Sequence, residues 1–420
     1  MEAQQVHSYT CRDWVLDLCQ LKNHGIVSSM SDGGLNLSPF DFTKNTIYRI
    51  PNAHSNSINR MRNIDYENLV ATCARDSVKI WDFRCYNSGA VSTLTGDSNS
   101  NFLSVDSRHG FIAGGSELQG VDAELHIWDM RANNKPVRVF KDSHHDDITE
   151  IRFHPTNKDL LLSGSTDGYV NIYDLIIDEE DDALHQVINF GSIHSANFLS
   201  NKRIYTLSHI ETLGIHELND KSDELTEPKP IEFGDLRSSW DCEYVVDIYP
   251  SGYAACGSNS KNELKLFSFN SKEEKFDLNN PITFKGAHGD EVVRSVVCNG
   301  DVVYTGGEDS TIKIWNIPGS NIEYKLEFFT ENDIKDEDGD IDIRDDADDE
   351  IEPTPMKPSA EAHDDDEEEE EGEEKDKKKE KKHKHKSKSD KDDKKHKSKK
   401  SKDKKHKSKK SKDKKRFKPY

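Results

Sequence analysis

Between residues 12 and 317 the chain runs in short stretches that alternate apolar and polar positions, separated by clusters of Gly, Ser, Asp and Asn. Two regions show the unit most clearly. HHDDITEIRFHP, DLLLSGSTDG and YVNIYDL follow one another from residue 144 to 175, and HGDEVVRSVVC, DVVYTGGEDS and TIKIWNI do so from 288 to 317. A period of two in runs rich in Val, Ile, Leu, Tyr and Thr predicts half-buried strands, and the polar breaks between them predict tight turns.

The third strand of each unit ends in Trp-Asp or a close variant: KIWD at 79–82, HIWD at 126–129, NIYD at 171–174 and KIWN at 313–316. The steps between these segments are 47, 45 and 142 residues, the last being about three steps of the same size. Self-similarity at roughly 40 to 45 residues marks WD-repeat propellers, in which each repeat is one four-stranded blade. The template places blades at about 12–52, 58–95, 101–140, 147–190 and 291–317. Residues 191–285 are degenerate, yet RIYTLS with TLGIHEL, then DCEYVVDIY, YAACGSN and ELKLFSF, have the lengths of two more. The expectation is an all-β fold, a seven-bladed propeller over residues 1–330. Such a ring must be closed, because an open sheet edge invites aggregation. Both QQVHSYT (4–10) and EYKLEFF (323–329) are candidates for the closing strand.

Charge divides the 420 residues into three blocks. Residues 1–330 carry 29 basic and 49 acidic side chains, 331–374 carry 3 and 24, and 375–420 carry 26 and 7, so the listless net value of −22 conceals a strongly basic end. Residues 331–416 contain no aromatic side chain and few aliphatic ones. Too little apolar surface is available there to offset chain entropy, which predicts an acidic disordered linker (331–374) and a lysine-rich disordered tail (375–420). The seven cysteines, at 11, 19, 73, 85, 242, 256 and 298, show no paired spacing and read as reduced thiols at strand positions. No stretch approaches 18 apolar residues and the N-terminus lacks the pattern of a secretory signal, so neither membrane nor secretion is expected.

The tail holds KKHKSKKSKD twice in tandem, at 394–403 and 404–413, followed by KKRFKPY. The cluster formed by Lys394, Lys395, Lys397, Lys399, Lys400, Lys404, Lys405, Lys407, Lys409, Lys410, Lys414, Lys415 and Arg416 reads first as a nuclear-localisation tract. It reads second as a phosphate-contacting segment for nucleic acid or another polyanion. With one Arg among 26 basic residues and no aromatic platform before Phe417, such binding is expected to be blind to sequence and sensitive to salt.

Three repeats place a His, a hydroxyl, an Asp and an aromatic at the same intervals: His54, Thr72, Asp76 and Trp81; His144, Ser163, Asp167 and Tyr173; His288, Thr305, Asp309 and Trp315. A triad for nucleophilic chemistry has no reason to recur once per repeat and also needs an oxyanion hole. A buried hydrogen-bonded tetrad that fixes blade geometry explains the repetition. No phosphate-binding loop, dinucleotide fingerprint, nucleophile elbow or zinc-protease motif is present, and the acidic run lacks the fixed spacing of a calcium loop. The expectation is a chain without catalytic residues, metal or cofactor.

Two repeats extend the motif to W-D-x-R, ending in Arg84 and Arg131. This resembles the pattern by which WD-repeat substrate receptors dock on the adaptor of cullin-type ubiquitin ligases, which would make both arginines partner contacts. The reading we favour pairs each with a nearby carboxylate. Arg75, Thr166 and Glu308 each precede the turn Asp and are candidate partner contacts on the loop surface of the propeller.

The segment 144–184, ELHIWDMR at 124–131 and the stretch VVRSVVCNGDVVYTGGEDSTIKIW resemble the WD-repeat-containing protein 89 family, over most of residues 12–316. The acidic and lysine-rich end departs from the animal members and resembles a fungal elaboration. The resemblance implies a seven-bladed, non-catalytic propeller. Together these readings point to a nuclear scaffold, the nucleolus included among its candidate sites, for a protein or peptide partner, acting as a monomer within a complex. Two alternatives are a chaperone for a basic client such as a histone or ribosomal protein, and a substrate receptor of a cullin-type ligase.

Overall fold

Among the described residues twenty-nine strands pair into seven antiparallel sheets, the blades of a seven-bladed propeller, and in six of them the strands run in chain order from the inside outward. The structure is a computed structural model and describes residues 1–96, 100–132, 134–220 and 229–329. The acidic block 331–374 and the lysine tail, with its localisation tract, lie outside the described residues. Blades one to seven begin at the inner strands Val15–Leu21, Ile58–Asn63, Phe102–Arg108, Ile148–Phe153, Ile193–Ser200, Tyr244–Tyr249 and Val293–Asn299. Within a blade we call the strands a to d from the inside out.

The ring closes through its N-terminus. Gln4–Thr10 pairs antiparallel with Thr311–Asn316 and becomes strand d of blade seven. Residues 1–3 continue the tie into blade six, where the Ala3 N–H donates to the Thr283 carbonyl at 2.9 Å and the Thr283 N–H to the Met1 carbonyl at 2.8 Å. The other candidate, 323–329, follows an irregular path described below.

Apolar side chains bury between neighbouring blades. The seam between blades one and two, for example, packs Leu35, Leu37, Ile58, Met61, Val70 and Trp81 together. The small residue near the end of strand b permits this approach. A Cβ on Gly115 would lie 2.4 Å from Ile148 Cγ2 of the next blade, and one on Gly306 would lie 2.5 Å from Val15 Cγ1. Gly115 of IAGGS and Gly306 of YTGGE are thus set by inter-blade distance.

Every inner strand carries a register shift at the same place, and the residue that follows it is Asp17, Arg60, Ser104, Glu150, Ser195, Asp247 or Ser295. A bulge re-aims the side chain next to it. All seven are polar, and several staple one blade to the next. Asp17 Oδ2 accepts from the Met61 N–H at 3.1 Å, Ser295 Oγ donates to Asp17 Oδ1 at 3.2 Å, and Ser104 Oγ donates to the Ile148 carbonyl at 2.8 Å.

Candidate protein-interaction site

The turn between strands b and c delivers an Asp back toward the residue that enters strand a, and in three blades that residue is a buried His. In blade two, His54 Nδ1 lies 2.6 Å from Asp76 Oδ1 and its Nε2 lies 2.7 Å from Thr72 Oγ1, while the Trp81 indole N–H donates to the same hydroxyl at 2.9 Å. Blade seven repeats the geometry, with His288 at 2.6 Å from Asp309 and 2.8 Å from Thr305, and Trp315 Nε1 at 3.0 Å. In blade four His144 meets Asp167 at 2.8 Å and Ser163 at 2.6 Å, and Ser163 Oγ lies 3.4 Å from the Tyr173 hydroxyl.

Burial pushes the Asp76 and Asp309 carboxyls up, but the hydrogen bond and charge of His54 and His288, helped by Lys79 and Lys313, outweigh it and hold both at about 2. Burial pushes His54 down against the pull of Asp76. The hydroxyls are fully buried, so the set is closed to a substrate.

Two blades use substitutes that the sequence pattern hides. In blade five His216 stands where Trp81 stands in blade two, and its Nε2 lies 2.9 Å from Thr206 Oγ1. The cue was IHE in the place of IWD. In blade three Gly114 replaces the hydroxyl, Phe102 and Trp128 crowd the place its Cβ would take, and His126 stacks on Trp128 at 5.6 Å.

Because strands alternate in direction, the d-to-a and b-to-c connections share one face, which we call the upper face. Arg75, Thr166 and Glu308 all lie there. Arg75 is exposed and pairs with Glu117 of blade three at 3.1 Å. Thr166 N–H donates to the Asp147 carbonyl at 3.0 Å, and Glu308 pairs with Arg294. The b-to-c connection of blade three, residues 117–122, is the longest of the seven and carries Val121, 79% exposed. It is held on both sides, by Arg75 on Glu117 and by His145 on Asp122 at 2.8 Å.

Arg84 and Arg131 sit on the opposite, lower face, each folded onto the Asp two residues before it. Arg84 Nε and Nη2 reach Asp82 at 3.0 and 2.6 Å, and Arg131 reaches Asp129 at 3.0 and 2.8 Å. The same turn recurs at Asp235 and Arg237, at 3.0 and 2.6 Å, after the outer strand of blade five and without a Trp. The Asp-x-Arg fork is thus a local turn that needs no partner.

Two further features escaped the sequence. Arg60 and Arg62 of blade two reach past blade three to Glu150 of blade four, at 3.4 and 3.1 Å, and Arg152 Nε lies 3.2 Å from the same carboxylate. Glu150 is fully buried. Burial pushes its carboxyl up and the three guanidinium groups, Arg152 first, pull it below its ordinary value. This ion cluster lies at the inner rim, where the bulges aim Arg60 and Glu150.

The second feature is the strap that leaves blade seven. Ile322 is buried and its carbonyl accepts from the Gly300 N–H at 2.7 Å. Tyr324 then stacks on Tyr66 at 5.4 Å, with its hydroxyl 3.0 Å from Asn63 Nδ2. Glu327 pairs with Arg108, and Phe328 and Phe329 insert at the seam of blades four and five, against Tyr205 and His154.

The family described as WD domain, G-beta repeat, matches residues 134–174 and 279–316. A WD repeat-containing protein of Saccharomyces cerevisiae is 48% identical over 318 residues, which cover 74% of this chain and 80% of that protein. The WD repeat-containing protein 89 homolog of Dictyostelium discoideum is 30% identical, over 73% of this chain and 83% of its own length. Nucleoporin Nup43 of Mus musculus is 32% identical over 171 residues, 39% of this chain and 43% of the nucleoporin.

Proposed function

We propose that this chain, which belongs to the WD-repeat family that includes the WD repeat-containing protein 89 homolog, is a non-catalytic scaffold of the nucleus that holds a protein partner on its upper face. The observation that carries the reading is the division of labour among polar residues. The His, hydroxyl and Asp sets are spent internally, in networks closed around buried hydroxyls, whereas the upper connections of blades two and three present exposed Arg75 and Val121 outward. A protein-binding surface combines such apolar anchors with a polar rim. Nuclear placement is supported by the lysine tract 394–416 and by the partial likeness to a nucleoporin.

The upper connections also favour a second reading. Among the described residues they hold fifteen Asp and Glu and four Lys and Arg. This excess supports a basic client, for which the acidic block 331–374 would add further charge. The ligase-receptor reading has less support, because Arg84 and Arg131 share their geometry with Arg237.

The test is affinity purification with mass spectrometry on the full chain and on the triple variant Arg75→Glu, Thr166→Lys, Glu308→Lys. Loss of a discrete partner set from the variant is expected, and an unchanged set removes the upper face from consideration. Replacing the lysines of both decapeptides with Gln is expected to move a fluorescent fusion out of the nucleus. Charge reversal at Arg84 and Arg131 releasing a cullin adaptor would favour the ligase reading instead.

A further inference from the structure

We infer that the lower face carries a peptide-docking groove, distinct from the upper-face site proposed above, and that the strap is its tethered ligand. The partner class it takes is an extended segment of the pattern Tyr-x-x-Glu-Phe-Phe, an aromatic followed by an acid and two further aromatics.

Three observations carry this. First, the strap is held by side chains. Among the described residues no backbone-to-backbone hydrogen bond reaches 323–329, whereas the strand that truly closes the ring, Gln4–Thr10, is paired along its length. A segment bound through pockets can leave without breaking a sheet.

Second, its anchors are spaced like those of a docked peptide. Tyr324 fills the a-to-b turn of blade two, Glu327 meets Arg108 of blade three, and Phe329, 5% exposed, packs with His154, Phe198 and Leu162 of blades four and five. Buried aromatics around one charged pair is the composition of a hot spot.

Third, the fill between the anchors is poor. A cavity of about 490 Å³ lies beneath Leu326, Glu327 and Phe328, and a second of about 400 Å³ flanks Tyr324 to Glu327. Leu326 is 40% exposed despite its apolar side chain. The first cavity is lined by Arg62, Arg108 and Arg152. Among the described residues the buried Arg62 Nε–H has no hydrogen-bond partner. Both spaces open to solvent beside the strap, so a longer side chain at these positions could enter them without displacing the anchors. A partner segment with a larger residue, or an additional acid, between the aromatic anchors would occupy them better.

Tethering sets the threshold. A short linker holds its ligand at an effective concentration of the order of millimolar, so a free segment competes only when it binds more tightly than the strap or when the strap is released. The groove is therefore self-occupied at rest.

The experiment uses the full chain with a protease site inserted at the exposed turn between Gly319 and Ser320, and the fluorescein-labelled peptide SNIEYKLEFF as probe. The uncut chain is expected to bind the probe at least 10-fold more weakly than the cut chain after gel filtration. Alanine at the positions of Tyr324, Phe328 and Phe329 in the probe should weaken binding at least 10-fold, as should Arg108→Glu in the chain. Should the cut fragment stay bound, its displacement by excess peptide reads the same equilibrium. Equal binding to cut and uncut chain, no displacement, or full retention of the alanine peptide would overturn the inference. Should cutting unfold the chain, the uncut Phe328→Ala, Phe329→Ala variant gives the second reading. It must bind the probe at least 10-fold more tightly than the parent chain, and no gain counts against the groove.

Discussion

Replacing Glu150 with Gln keeps the volume of the side chain and removes the charge on which three arginines converge. In the native chain the carboxylate is fully buried and lies 3.4, 3.1 and 3.2 Å from Arg60, Arg62 and Arg152. After the change Arg62 keeps Asp17 at 3.5 Å, but Arg152 has no other carboxylate within ion-pair distance among the described residues. Removing one partner of a buried pair costs about 3–5 kcal/mol, because the remaining charge stays desolvated. The three guanidinium groups are mostly buried, with side chains 24%, 15% and 15% exposed, so the lower half of that range, about 3 kcal/mol, is the expected loss. Urea unfolding followed by tryptophan fluorescence should show a lower midpoint with an unchanged slope. Adding Arg152→Met should return at least about 1 kcal/mol, since coupled neighbours are non-additive. A loss below about 1 kcal/mol, or no recovery in the double variant, would refute the view that Glu150 neutralises this cluster.

Thr305→Val should cost about 1–3 kcal/mol in the same assay, since it leaves the buried Trp315 N–H and His288 Nε2 without their shared partner. Gly115→Val should lower the melting temperature by more than Thr305→Val, because even a Cβ there lies 2.4 Å from Ile148 and the seam of blades three and four must open. Stability should fall steeply below pH 6.5. Burial holds His154, His209 and His216 at about 4, so unfolding takes up their protons between pH 6.5 and 4. Burial raises Glu211 to about 7, which acts in the opposite direction between pH 7 and 4.5. The net uptake of about two protons gives a slope of roughly 2.7 kcal/mol per pH unit near pH 5.5. A flat profile between pH 6.5 and 4.5 would contradict the assignment of neutral, buried imidazoles.

What the sequence made legible was what is local. A period-two run, a tight turn and a terminal Trp-Asp lie within about 45 residues, so blades two, four and seven could be read directly, and the number of blades followed from their spacing. Blades five and six were harder because His216 and Phe267 occupy the Trp position, and the pattern survives only in the order of strands. The closing strand could not be chosen. QQVHSYT carries little apolar patterning and its first three residues are exposed, whereas EYKLEFF alternates like a strand yet becomes the strap. Pairing with a segment 300 residues away decides the first, and pockets on four blades decide the second. The ion cluster was hidden for the same reason: Arg60 and Glu150 are separated by 90 residues, and only the common bulge of the inner strands aims them at one another.

The two ends of the propeller differ in how they bind, and this bears on where recognition is placed. At the N-terminus the tie is a ladder of backbone hydrogen bonds, indifferent to side chains and hard to displace by a single peptide. At the C-terminal end the tie is a set of aromatic anchors and one ion pair, made by side chains rather than by a backbone ladder. A scaffold that must hold its shape while exchanging partners needs both kinds. The ladder fixes the ring, and the ion cluster of Arg60, Arg62, Glu150 and Arg152 ties non-adjacent blades across its interior. With the ring braced from within, release of the strap is expected to leave the upper face unchanged, and probe binding to the cut chain should not alter the partner set held there.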